Sequence, residues 1–339
     1  MMHSTRLSTP RVTVIVPTYN RADMLPACLQ SVFAQTYPNI ELIVVDDGST
    51  DDTQEILRPH AAKIRILRQE NAGPYVAMNH ALKHAQGEFV TFLGSDDAFR
   101  QDKVGLQVDR FLRDEGLALV YTHHAFRVPS GDILAPPAHR QVSVTGDVSV
   151  EVVRRFGLGI TWASAMIPLE IISAVGTFDT THRVAMDLEL MTRVLRRGRI
   201  DVIQQPLYEI TLHTSHISQN VTAKEKAYGY ILRKVFGHEP FRSDRRLQRE
   251  SEAGMFLSLS RLAYVHHLNK QSRGYLIKAL RAAPRALARP ASISFTLKVA
   301  LGRRKVNALA RFLGLSSESG WLAQDQSEEK VEDRGQSNL

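Results

Sequence analysis

"VTVIVPTYN" (12–20), followed by "IELIVVDDGST" (40–50), decides the fold. Each is a short, β-branched apolar run that stops abruptly at a polar cluster. That is the pattern of a parallel strand buried on both faces. "KIRILRQ" (63–69) and "EFVTFL" (88–93) repeat it. Between the first two runs, Leu25, Leu29, Val32 and Phe33 recur at helical spacing, and Asn20 is placed to cap the helix they predict. "GPYVAMNHALKHA" (73–85) reads as a second helix, with Pro74 in its first turn and Gly87 just past its end. Strands alternating with helices imply right-handed crossovers and a parallel sheet. Ligands of such sheets bind beyond the carboxyl ends of the strands. "PTYN", "DDGS" and "GSDD" all fall at those ends, so three separate segments converge on one crevice.

The second half is less regular. "ALVYTHHAFRV" (118–128) predicts a strand entering a hairpin, "GDVSVEVVRRFG" (146–157) a helix, and "WASAMIP" (162–168) a strand. "DLELMTRVLRRG" (187–198) is an amphipathic helix stopped by Gly198, and "YEITLHTSHIS" (208–218) an extended segment with a polar end. From about Ala223 the periodicity is helical as far as "NALARFLG" (307–314).

The chain of 339 residues is 43% hydrophobic and 23% charged, as expected of a globular protein. One cysteine, Cys28, excludes an internal disulfide and suits a reducing compartment. Neither a secretory leader nor a membrane span is visible, so the expected location is cytoplasmic. The net charge of +8 is uneven: residues 220–320 hold 20 Lys/Arg against 6 Asp/Glu. Apolar positions interleaved with Arg and Lys there suit a packed helical appendage or a peripheral contact with the inner face of a membrane. No motif for nucleic acid accompanies the basic charge, so nucleic acid is not expected as a partner. The histidines in "THH", "VHH" and "LHTSH" lack the convergent spacing of a zinc site.

No glycine loop of the dinucleotide or Walker type occurs, so phosphate must be held another way. Asp96 and Asp97, at the end of the fourth strand, suit Mg²⁺ or Mn²⁺ bridging a substrate phosphate, since hard cations take oxygen ligands. Capping of the next helix is the competing reading, and the residues alone leave both open.

The ordered set "VIVPTYNRADMLPACLQSVFAQTYPNIELIVVDDGSTDDT", "ENAGPYVAMNHALKHAQGEFVTFLGSDD", "GTFD", "MDLELMTRVLRRG" and "LHTSHIS" resembles family-2 glycosyltransferases. The resemblance covers about residues 11–220. It implies the GT-A fold, a Rossmann-like, mostly parallel sheet, and an inverting enzyme using a nucleotide-sugar and Mn²⁺ or Mg²⁺. The resemblance delimits a catalytic domain (11–220) after an N-terminal tail (1–10), while periodicity, charge and composition predict a basic helical extension (221–315) and a disordered tail (316–339).

Residue by residue, the resemblance assigns Pro17, Thr18, Tyr19 and Asn20 to the nucleotide pocket. Asp46 would accept the imide N–H of a uracil-like base, with Asp47 close by. Asn71, Gly73, Asn79 and Ser95 would also contact the nucleotide. Asp96, Asp97 and His213 would face the metal, and Asp187 would be the general base, with Glu189 the fallback. Two positions depart from the family pattern: Gly94 replaces a carboxylate of the metal motif, and Met186 replaces a Glu beside the base. They favour the alternative of a non-catalytic nucleotide-sugar binder. The acceptor is expected to be a glycan or a lipid-linked saccharide, and Trp162 is a candidate to stack on it.

Overall fold

Strand β1 (Val12–Thr18) is apolar on both faces, and every residue but Pro17 is buried. It pairs in parallel with β2 (Ile40–Asp46), Thr18 lying opposite Asp46. The computed structural model describes residues 9–128, 130–136, 141–160, 162–212, 220–287, 295–296 and 299–300. Most of the expected N-terminal tail, His213, most of the extension past residue 287 and the tail 316–339 lie outside the described residues.

Helix α1 (Leu25–Phe33) has Pro26 in its first turn, but Asn20 is not its cap; Met24 takes that position. Asn20 sits instead in the left-handed region at φ 51°. Its N–H donates to Ser49 Oγ at 2.9 Å, and its Oδ1 accepts from the Thr50 N–H at 2.8 Å. The side chain therefore ties the exit of β1 to the exit of β2 instead of starting a helix.

Next come α2 (Thr53–Leu57), β3 (Arg65–Arg68), α3 (Pro74–Leu82) and β4 (Phe89–Phe92). β3, β2, β1 and β4 are adjacent and parallel. After them come β5 (Ala98–Phe99), α4 (Lys103–Arg113), β6 (Leu117–Arg127), β7 (Ile133–Leu134), α5 (Ser149–Arg154), β8 (Met166–Pro168), α6 (Leu169–Val175), α7 (Met186–Val194) and β9 (Arg199–Thr211).

Among the described residues the sheet runs β3-β2-β1-β4-β8-β6-β9-β5, with β7 on β6. The α/β class is as expected, but the sheet is more mixed than its first half suggests. β8 runs antiparallel to β4 and β6, and β5 runs antiparallel to β9. Both faces of β1 are covered: Val12, Val14 and Val16 on one and Thr13 and Ile15 on the other are all fully buried, and Leu29 and Val44 pack with Val14 and Val16 while Val108, Phe111 and Val120 cluster with Val12. Such double coverage is what makes near-continuous apolar strands tolerable in water.

The chain divides into Met1–Val148 with Gly159–His213, and Ser149–Leu158 with Thr214–Leu339. The second unit contains α5, α8 (Val221–Phe236), α9 (Arg245–Val265) and α10 (Asn269–Ala282). Asn220 and Asp244 cap α8 and α9, accepting from the N–H groups of Ala223 and Leu247. α5 joins these helices because Arg154 Nε pairs with Glu250 at 2.9 Å and the Phe156 ring lies 4.7 Å from that of Tyr228. α9 and α10 meet closely where Ser260 and Ser272 each donate to the other's carbonyl.

Candidate active site

The parallel register brings Thr18, Asp46 and the turn after β4 to one edge of the sheet. Among the described residues the buried Thr18 Oγ has no hydrogen-bond partner. An unsatisfied buried hydroxyl is costly, and a ligand at the strand end would relieve it. Tyr19 is 44% exposed beside it, and Pro17 lies opposite Val45.

Asp46 is fully buried. Its Oδ1 accepts from the Ser49 N–H at 2.8 Å, and its Oδ2 faces the Gln54 amide and Arg68 Nε at 3.5 Å. Three donors thus already approach the carboxylate expected to receive a base. Asp47 does different work. Its oxygens accept from Gln69 Nε2 at 2.8 Å, the Ala72 N–H at 2.9 Å and the Gly73 N–H at 2.8 Å. That fixes the loop entering α3, where Gly73 adopts φ 97° and a Cβ would meet the Arg183 side chain at 3.4 Å. Arg183 in turn donates to Asn71 Oδ1 at 3.2 Å.

Asn79, expected to contact the nucleotide, also makes two hydrogen bonds within the protein. Its Nδ2 donates to the Phe178 carbonyl at 2.8 Å, and its Oδ1 accepts the Phe178 N–H at 2.9 Å. Both amide atoms are engaged in clamping the "GTFD" segment to α3.

After β4 the chain turns through Gly94, Ser95, Asp96 and Asp97, with the Asp97 N–H bonded to the Gly94 carbonyl. Neither aspartate caps α4, whose N-cap position is Asp102. Ser95 is buried. Asp97 is also buried; its Oδ1 accepts from the Thr211 N–H at 2.9 Å, and its Oδ2 from the Tyr208 hydroxyl. Burial, and then the adjacent Asp96 charge, push its carboxyl up to about 7. Both oxygens are therefore turned toward β9, and Asp96 is the more accessible of the pair, with Arg21 Nε at 3.9 Å. Asp96 borders an open groove of about 1160 Å³ whose walls include Asp23, Arg100 and Glu209.

Gly94 stands where the resemblance implies a carboxylate, and there is a steric counterpart. A Cβ at 94 would lie 2.6 Å from Asp96 Oδ1 and 3.1 Å from Asp97 Oδ2. The missing side chain is the space into which the Asp96 carboxylate folds. One reachable carboxylate fits a hard cation that takes its remaining oxygens from a diphosphate. Among the described residues no three His, Cys, Asp or Glu converge as a metal cage.

Asp187 stands in the first turn of α7, and its Oδ1 accepts from the Tyr75 hydroxyl at 3.2 Å. The Tyr75 ring packs on Phe178 at 5.4 Å, and Phe178 meets Phe92 of β4 edge-on at 5.2 Å. Trp162 belongs to the same cluster, 5.7 Å from Phe92, which makes it a core aromatic. Glu189 is not an available base: it is buried and forked onto Arg193, with Nη2 at 2.6 Å. Arg193 then donates to the carbonyls of Val175, Gly176 and Thr177.

Sequence reasoning missed Tyr75, Tyr208, Gln54 and Arg183. Their partners are distant in sequence or, for Gln54, across a turn, and no local pattern marks them.

Residues 13–139 match the family described as Glycosyl transferase family 2. The chain is 37% identical over 232 residues to TuaG of Bacillus subtilis, whose name places it in teichuronic acid biosynthesis; the match covers 67% of this chain and 88% of that protein. The chain belongs to the family-2 glycosyltransferases. It is also 26% identical over 252 residues to an uncharacterized glycosyltransferase of Rickettsia felis, covering 74% of this chain but only 42% of the relative's length. Its fold is that of S. aureus TarS, solved in complex with UDP-GlcNAc, at TM-score 0.60 and 20% identity over 90% of this chain and 92% of that one. A mannosyltransferase from Pyrobaculum calidifontis, solved with GDP-Man and Mn2+, aligns at TM-score 0.53 and 21% identity over 94% and 85% of the two chains.

Proposed function

We propose that the chain is an inverting glycosyltransferase that moves a sugar from a nucleotide-sugar, a UDP-sugar first among candidates, to a glycan or lipid-linked acceptor. The observation that carries this reading is the gathering at one sheet edge of an unsatisfied Thr18 hydroxyl, the Asp46–Asp47 exit and an accessible Asp96. The names of the relatives support polysaccharide biosynthesis, and the ligands of the structural neighbours support a nucleotide-sugar.

In this reading the nucleotide lies over Pro17–Asn20, with Asp46 accepting its imide N–H in place of the Gln54 amide. Asn71, Gly73 and Ser95 shape the loops around it. Asp187 takes the proton of the acceptor hydroxyl as that oxygen bonds to the anomeric carbon, and the bond to the nucleotide diphosphate breaks with its electron pair. Mn²⁺ or Mg²⁺ at Asp96, with Asp97 steadying the turn and His213 nearby in the family pattern, would offset charge on the leaving diphosphate.

The alternative, a non-catalytic nucleotide-sugar binder, draws on Gly94 and on Met186, which is fully buried, two positions where the resemblance implies acids. A panel of UDP-, GDP- and dTDP-sugars with Mn²⁺ separates the two: turnover of one donor is expected, and tight binding with no turnover of any would favour the binder.

We assign the protein to the cytoplasm, with a peripheral membrane contact through the basic helices. Among the described residues no helix is long and apolar enough to cross a membrane.

A further inference from the structure

Helix α7 begins under an unusual constraint. Its N-cap residue, Ala185, has φ 63° and no side chain able to cap. The first N–H groups of a helix need acceptors, and here a hydroxyl from another element reaches the first turn. The Tyr75 hydroxyl of α3 donates to Asp187 Oδ1 at 3.2 Å, and the backbone N–H groups of Met186 and Asp187 face its oxygen. A phenol hydroxyl can do both at once, because it carries a donor and an acceptor. The ring is held on Phe178, and the Asn79 clamp holds Phe178 to the same helix. α3 therefore grips the segment leading to Asp187 at two points one helical turn apart.

We infer that Tyr75 is a positioning residue for Asp187, its part-buried hydroxyl acting as the missing cap of α7 and fixing the carboxylate. The kinetic arm of the test rests on Asp187 being the base; the structural arm does not. Tyr75→Phe keeps the ring and its packing and removes only the hydroxyl. In the full chain, hydrogen exchange at amides 186–188 should quicken about tenfold, the loss of one hydrogen bond. Amides of 176–179 should keep their protection, because Asn79 still holds them.

With the donor that turns over in the panel, kcat should fall about ten- to a hundredfold with donor KM unchanged, since a small misplacement of a base affects the chemical step. Tyr75→Phe should add nothing in an Asp187→Asn background. A hydroxyl with only a general structural role would loosen 176–179 as well and raise donor KM. Unchanged exchange at 186–188 overturns the inference. An Asp187→Asn variant with normal turnover removes the base assignment instead, and leaves the exchange result to decide the contact.

Discussion

Gly94 stands where the resemblance implies a carboxylate, and a side chain there would have a steric consequence. Any side chain at 94 begins 2.6 Å from Asp96 Oδ1, so even a methyl must push that carboxylate aside. Gly94→Ala is therefore expected to weaken Mn²⁺-dependent UDP binding about tenfold, some 1.4 kcal/mol, while metal-free UDP binding stays as in the wild type. Calorimetry with and without Mn²⁺ reads both. An unaffected metal gain would show that Asp96 does not need the space.

The same scale shows what was legible. Asp96 and Asp187 can be picked out from a linear motif. Asn20 cannot be placed that way, because its cap-like spacing is local while its real partners, Ser49 and Thr50, come from the next strand's exit. Tyr75 is separated from Asp187 by 112 positions, and nothing in its neighbourhood advertises the contact.

At the scale of elements, the buried strands were legible because burial on both faces leaves a continuous β-branched run. β8 and β5 were harder: three and two residues long, they exist only through pairing with distant strands. What holds that less regular half is a buried polar node on α4. Lys103 is fully buried and donates to Thr91 Oγ at 3.1 Å and Gln107 Oε1 at 2.8 Å, with its Nζ 4.0 Å from the Phe99 ring centre. Gln107 then donates to the carbonyls of Val120 and Ser164.

Burial pushes the Lys103 ammonium well below its ordinary value. The unfolded chain keeps that proton up to about pH 10.4, so over the window between the two values the unfolded state binds more protons. Stability contributed at this site must therefore rise with pH through that window. Lys103→Met should lose the rise, and urea midpoints for both proteins at about pH 7 and about pH 9.5 check the sign. A parallel pH response in the two proteins would mean that Lys103 does not titrate there.

For the whole molecule, the charge is the fact to explain. Residues 253–317 contain 12 Lys/Arg and no Asp/Glu. On α10 the outward face carries Lys270, Arg273, Ile277 and Arg281, all exposed, with Leu280 beside them. Among the described residues, none of these three cations is paired with a carboxylate. Cations near an anionic bilayer contribute about 1 kcal/mol each and are screened by salt. The full chain should sediment with anionic vesicles at low salt and release at high salt. Changing Lys270, Arg273 and Arg281 together to Gln should lower that binding about a hundredfold. Equal binding to neutral vesicles would contradict a charge-driven contact.

The central claim is that Asp187 serves as the base of a single displacement on a nucleotide-sugar. Proton NMR of the first sugar anomer released from an α-linked UDP-sugar, with Mn²⁺ present, tests it most directly. The account predicts that the β-anomer forms first, and that Asp187→Asn slows its release by ~10²–10⁴-fold while UDP binding is retained. The α-anomer appearing first, or a β-anomer released at the wild-type rate by Asp187→Asn, would contradict it.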